Sequence, residues 1–224
     1  MKAERISEHI WSLRTWMIIP VHVWLVTDRT GITLVDAGIG GMAGGILREI
    51  ERLQAGPLQR MLLTHGHGDH VGSVDRIRQQ FPVPVYAHQI ELPYLNGELP
   101  YPRRKKAEAG MARGVAQPLA EGPDGALASV AGLKPYLTPG HSPGHVVYYH
   151  AEDQVLLAGD LFTSRGGKLR NPMAIFSADI AQAVRSGAIV GELKPKRLEV
   201  CHGGPVFDPA AQLAEYLRAN AVSA

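Results

Sequence analysis

Six consecutive residues of this 224-residue chain, His65-Gly66-His67-Gly68-Asp69-His70, carry three histidines and an aspartate with only glycine between them. At the chain's own histidine and aspartate frequencies, His-x-His-x-Asp-His arises by chance in roughly one such chain in a thousand. Neutral imidazole and carboxylate are the ligands that zinc, iron and manganese accept. Two histidines separated by one residue at the end of a strand can approach a single ion. Glycines at 66 and 68 remove the Cβ atoms that would oppose a tight, irregular backbone there. A lone histidine is usually structural; four ligand types at this density point to a metal site.

Three other places share this character, each at the expected end of a strand. "TPGHSPGH" (138–145) puts His141 in a turn, "LLAGDLF" (156–162) ends a buried apolar strand at Asp160, and "EVCHGGP" (199–205) ends the last strand at His202. The candidates are then His65, His67, Asp69, His70, His141, Asp160 and His202. That set exceeds the three or four protein ligands of a catalytic zinc and suits two ions sharing a bridging carboxylate.

The elements that must position these groups alternate. Strands are expected at about 9–15, 21–28 and 32–36, with Asp28-Arg29-Thr30-Gly31 as a hairpin turn. A glycine-rich turn (38–45) leads into a helix whose Ile46, Leu47, Ile50 and Leu53 share a face, stopped by Gly56-Pro57. A short buried strand (60–64) ends at the histidine cluster, helical spacing resumes over 71–80, and 83–87 is strand-like. Further strands fall near 134–138, 146–150, 154–158 and 197–201. Helices are expected over 178–193, capped by Ser177, and after Asp208, which caps a last helix with Pro209 at its first position. This alternation implies α/β layers, with functional groups gathered where strands end. No repeat or linker interrupts it, so 1–224 reads as one domain. Residues 94–125 dissolve into Pro, Gly, Ala and basic residues, and read either as a functional lid with some helix or as a mobile loop.

The composition, 45% hydrophobic and 20% charged, is that of a globular protein. A net charge of +2 gives no argument for nucleic acid. Cys201 is the only cysteine, which excludes an intramolecular disulfide and thiolate zinc fingers. The first residues carry acids and no following apolar run, so no secretory signal is expected. The apolar-rich stretch 16–26 contains Pro20 and His22 and is too short to span a bilayer. A cytoplasmic protein without membrane contact is the expectation.

"LVDAG", "THGHGDH", "PGHSPGH", "AGDLF" and "CHGGP" occur in an order that resembles the metallo-β-lactamase superfamily over the full chain. The resemblance implies a four-layer αββα sandwich with the site at one edge of two packed sheets. It implies that His65, His67 and His141 hold one metal, that Asp69, His70 and His202 hold the other, and that Asp160 bridges them. Asp36 and His145 match positions that usually stand behind the ligands. For Asp36 the physics agrees, since a carboxylate accepting a ligand histidine's free ring N–H orients it. For His145 spacing leaves a supporting role and a ligand role both open. The implied cofactors are two divalent ions, zinc first, with iron or manganese also accepted.

A hydroxide bridging two such ions is available near neutral pH, because the ions depress the pKa of bound water to about 7. It would attack a carbonyl or phosphoryl centre, with Asp69 relaying a proton. Departures narrow the choice within the superfamily. The resemblance gives true β-lactamases no bridging aspartate at position 160, and Cys201, one residue before His202 on a strand, is expected to point the other way. With 22 residues following His202, the helical extension that glyoxalase II carries is not expected. Thr163 stands where related lactonases place a tyrosine. What remains is a metal-dependent hydrolase of a small-molecule thioester, lactone or phosphoester, with a homodimer as the oligomer considered. The alternative is a mononuclear iron persulfide dioxygenase of the same fold. His22, Phe162 and Tyr94 are expected on the substrate side, with the basic run 103–106 either covering an anionic substrate or forming a solvated helix face.

Overall fold

The computed structural model describes residues 1–220. In chain order the elements are β1 (Lys2–Arg5), β2 (Ile10–Trp16), β3 (Pro20–Asp28), β4 (Gly31–Val35), α1 (Ala43–Leu53), β5 (Leu58–Leu62), α2 (Gly68–Val71), α3 (Val74–Gln80), β6 (Val85–Ala87), α4 (Leu92–Leu95), β7 (Ala116–Pro118), β8 (Leu133–Leu137), β9 (Val146–His150), β10 (Val155–Leu157), β11 (Thr163–Arg165), β12 (Lys168–Arg170), α5 (Ile180–Ser186), α6 (Ile189–Leu193), β13 (Arg197–Glu199), β14 (Val206–Phe207) and α7 (Ala210–Ala219).

Strands β1 to β7 form one sheet in chain order, antiparallel as far as β4 and parallel from β4 to β7. The second sheet runs β14-β13-β10-β9-β8, with only β10 and β13 parallel. β11 and β12 make a separate ribbon. The period-2 alternation of strands decides which side each residue covers. In β9, Val146 and Tyr148 enter the core between the sheets, while Val147 faces the outer cluster with Val184, Val190 and Tyr216. Val155 and Leu157 point inward in the same way and Leu156 outward. Ile46 and Ile50 of α1 and Val74 and Ile77 of α3 cover the first sheet, and α5 to α7 cover the second. The result is the αββα sandwich.

The two sheets meet at one edge. The Val146 amide donates to the Thr64 carbonyl at 2.9 Å and the Tyr148 hydroxyl to the Leu63 carbonyl at 2.9 Å. The C-terminal ends of β4, β5, β10 and β13 and the start of β9 all lie there.

Several expectations shift for local reasons. The expected 71–80 helix starts earlier, at Gly68, and breaks at Gly72-Ser73, where a Cβ on Gly72 would sit 2.7 Å from both the Gly40 nitrogen and the Gly68 oxygen. The expected 178–193 helix divides at Gly187-Ala188. Asp179, not Ser177, caps it, accepting from the Gln182 amide at 2.9 Å. The last helix starts at Ala210 with Pro209 at its cap position, so the side chain of Asp208 does not cap it. In the 94–125 segment the expected helix is confined to Leu92–Leu95, and the basic run lies on irregular backbone rather than on a helix face.

Candidate metal centre

His65 and His67 leave β5 on the loop that enters α2, and His141 lies on the loop before β9. His67 Nδ1 stands 3.0 Å from His65 Nε2 and 3.0 Å from His141 Nε2. Nitrogens held about 2.0–2.1 Å from a tetrahedral ion lie roughly 3.3 Å apart, so these three converge at the spacing of one coordination sphere. Burial holds all three neutral. His65 is driven well below its ordinary pKa of 6.5, His67 to about 4 and His141 to about 3. Neutral imidazole is the form a metal binds.

A second group forms opposite. His202 Nε2 lies 3.1 Å from Asp69 Oδ2 and 3.3 Å from Asp160 Oδ2, and His70 Nε2 lies 3.5 Å from Asp160 Oδ1. Asp160 Oδ2 is also 3.4 Å from His141 Nε2, so this one carboxylate reaches both groups. His70 Nε2, His202 Nε2 and Asp160 Oδ1 are buried and find no hydrogen-bond partner. Buried polar atoms without partners are costly, and ligand atoms of His70, Asp160 and His202 lie within 4.8 Å of one another. The donor set and its orphaned atoms therefore fit divalent metal ions. Burial opposes ionisation of Asp160, but the neighbouring His202 and His70 hold its carboxyl well below the usual range. Asp69 is likewise opposed by burial and lowered by His70 and His202, to about 2.

The supports of these ligands are specific. Asp36 ends β4 in left-handed backbone (φ 57°) and accepts from the Thr64 amide, the Thr64 hydroxyl and His70 Nδ1, each at 2.8 Å. His70 thus presents Nε2 to the site. His141 Nδ1 meets Ser177 Oγ at 3.0 Å, and His202 Nδ1 donates to the Pro20 carbonyl at 2.9 Å. His145 Nε2 accepts the Asp160 amide at 3.2 Å and its Nδ1 meets Thr138 Oγ1 at 3.0 Å. Both its nitrogens are engaged, so it stands behind Asp160 and offers no lone pair to a metal.

Glu91 is the residue that the sequence did not reveal. It is fully buried, and its Oε1 accepts from the Gly66 amide (3.0 Å) and Tyr101 hydroxyl (2.8 Å). Its Oε2 accepts from Ser142 Oγ (2.9 Å) and the Gly144 amide (2.8 Å). One carboxylate thus ties the His65–His67 loop to the loop carrying His141. The glycines make room for it: a Cβ on Gly144 would lie 2.5 Å from the Glu91 nitrogen, and one on Gly66 would overlap the Tyr101 hydroxyl. A buried glutamate in "QIELP" has no motif around it; three of its four partners come from two loops remote in sequence.

His67, Asp69, His141, Asp160 and His202 floor a cavity of about 500 Å³ whose other walls include Met17, Ile18, Ile19, Ile39, Met173, Phe176 and Arg104. Arg103, next in the basic run, donates to the Ala174 carbonyl at 2.6 Å. The three residues expected on the substrate side lie elsewhere. Phe162 is fully buried in the outer cluster against Tyr216, His22 is buried with Nδ1 on Ser12 Oγ at 2.8 Å, and Tyr94 stacks behind Tyr101. Cys201 also departs from expectation. β13 stops at Glu199, strand alternation lapses, and its Sγ lies within 4.8 Å of ligand atoms of His70, Asp160 and His202.

Residues 17–202 match the family model described as the metallo-beta-lactamase superfamily. The chain is 42% identical to the probable metallo-hydrolase YybB of Bacillus subtilis, over 92% of this chain and 93% of that protein. Among solved structures, TTHA1623 in a di-iron-bound form is 27% identical with a TM-score of 0.66, over 86% of this chain and 92% of that one. A metallo-beta-lactamase from Erythrobacter litoralis superposes with a TM-score of 0.75 at 19% identity, over 96% of this chain and 94% of that one, a likeness of fold. The fold and the ligand constellation define a metal-binding αββα protein. This chain belongs to the metallo-β-lactamase superfamily.

Proposed function

We propose that the protein is a dinuclear metal-dependent hydrolase that cleaves an ester-type bond (thioester, lactone or phosphoester) in a small molecule. One observation carries the reading: Asp160 stands between two complete groups of ligand atoms and within 3.5 Å of a histidine from each. A mononuclear centre has no use for the second group. The name of the relative YybB, a probable metallo-hydrolase, and the di-iron form of TTHA1623 support the same reading. Zinc is the first candidate, with iron or manganese accepted by the same ligands.

When bound, two divalent ions supply a nucleophilic water at neutral pH and polarise the substrate's carbonyl or phosphoryl oxygen. The chain's residues do the rest. His145 and Asp36 fix Asp160 and His70 in place, so no reorganisation is needed as charge develops. Asp69 is about 31% exposed toward the cavity while still touching His202. It is ionised at neutral pH and can hold the proton released by the attacking water, then return it to the leaving group. The apolar walls exclude bulk water and set a volume suited to a small-molecule substrate.

The test is metal analysis of the purified protein together with a panel of thioesters, lactones and phosphodiesters. Two metals per chain with turnover of one ester class is the expected result. One iron per chain with oxygen uptake on glutathione persulfide would overturn it in favour of the dioxygenase.

A further inference from the structure

Three exposed large apolar side chains line the metal cavity: Met17 (55%) and Ile18 (83%) on the β2–β3 turn and Phe176 (48%) on the loop before α5. Their chain neighbours Trp16 (69%) and Ile175 (74%) are exposed as well. Isolated exposed apolar residues need no explanation, but a contiguous patch opening into a site does. Trp16, Ile19 and Met173 continue the apolar wall into an adjoining hollow beside His202. On the other flank, Arg104 stands 5.8 Å from the Tyr101 ring centre, and that ring packs 4.7 Å from His67. The Arg104 guanidinium has no ion-pair or hydrogen-bond partner among the described residues, whereas that of its neighbour Arg103 is engaged on the carbonyls of Ala174 and Ser177. An uncommitted guanidinium at the wall of an apolar cavity is a seat for a carboxylate or phosphate.

Resting on the hydrolase reading, we propose that the substrate is amphiphilic, with an apolar acyl body on the rim beside His202 and an anionic group on the leaving half against Arg104. The reacting bond lies between these two flanks, over Asp160. Hydrolysis then releases an apolar acid and an anionic thiol or alcohol, with water supplying the hydroxyl to the acyl carbon and a proton to the leaving group.

The probes are acetyl, hexanoyl and decanoyl thioesters of 3-mercaptopropionate, which is anionic, and of 2-mercaptoethanol, which is neutral. We expect kcat/KM to climb with chain length, by up to about fourfold per buried methylene, and the anionic series to exceed the neutral one by about tenfold. Ile18→Ser and Phe176→Ser, both at exposed positions, flatten the chain-length dependence, and Arg104→Ala removes the preference for the anionic series. Calorimetry with the non-hydrolysable S-decyl thioether of 3-mercaptopropionate reads the same subsites without turnover, weakening in each variant. A flat chain-length response with no binding of the thioether overturns the proposal, even where short esters are cleaved and the hydrolase reading stands. Binding of the thioether without hydrolysis of any probe keeps the subsites and sinks the hydrolase reading instead. A wild-type dimer in solution that Ile18→Ser turns into a monomer assigns the rim to a second copy of the chain and also overturns it.

Discussion

Glu91 shows what a single buried charge can do for ligands it never touches. Four donors converge on its two oxygens, one from the His65–His67 loop, two from the His141 loop and one from Tyr101 beyond α4. Glu91→Gln keeps the shape but turns an amide nitrogen toward one pair of donors. We expect affinity at the His65–His67–His141 group to fall about 10- to 100-fold, so that dialysis against a weak chelator leaves one metal per chain. Equal loss of both metals would assign Glu91 to folding alone. Asp160→Ala acts differently, since it removes the carboxylate shared by both groups. It should lose the paired centre and about a hundredfold or more in rate, read by metal content and initial rates. Asp160 was legible in the sequence because a polar residue ending the apolar run "LLAGD" stands out against its strand. Glu91 was not, since its meaning lies wholly in contacts with residues 66, 101, 142 and 144.

Helix α5 carries its influence through its first residues. The Asp179 amide donates to the Gly140 carbonyl at 2.8 Å, the Ala178 amide to the His141 carbonyl at 3.0 Å, and the Asp179 carboxylate caps the helix. Asp179→Ala should cost about 1 kcal/mol of stability by urea denaturation and loosen the His141 loop along with the helix. The sequence placed this helix but named Ser177 as its cap. That hydroxyl is instead committed to His141 and the Met173 carbonyl. Cap chemistry reads alike for Ser and Asp, and only the competing long-range partner separates them. The strands with apolar runs, β2 to β5, β9 and β10, were visible, whereas β1, β7, β11, β12 and β14 span two to four residues. That length is too short for a period-2 pattern to emerge. The break at Gly187 escaped notice because helical spacing continues across it.

At the scale of the molecule, the two sheets are fastened again at the edge away from the metal ligands. Asp153, in the β9–β10 turn, accepts from the His9 amide at 3.0 Å, from the Ser7 hydroxyl, and from His9 Nδ1 at 2.8 Å. His9 is raised above 6.5, first by its hydrogen bond to Asp153 and against some desolvation, with Asp153, Glu152 and Glu8 adding charge. Asp153 is pushed up by burial, but hydrogen bonds from Ser7 and His9 and the nearby His150 bring it below 3.8. A raised histidine stabilises fully below its unfolded pKa and loses that contribution as pH climbs through the folded value. A lowered aspartate stabilises above its unfolded pKa and loses it as pH falls through the folded one. The clamp is therefore strongest between 3.8 and 6.5. The gap in melting temperature between wild type and His9→Gln should be widest in that window and shrink above neutrality. A gap that grows with rising pH would contradict the assignment.

A sandwich tied by hydrogen bonds alone along one edge, and along the other by hydrogen bonds that bound metals would reinforce, has unequal seams. Stripping the metals leaves the orphaned nitrogens of His70 and His202 facing Asp160, while the Asp153 clamp is untouched. Deuterium uptake should then quicken at the amides of Thr64, Asp160 and Cys201 and stay slow at His9, so that the apo protein breathes from one side, like a book held by its spine.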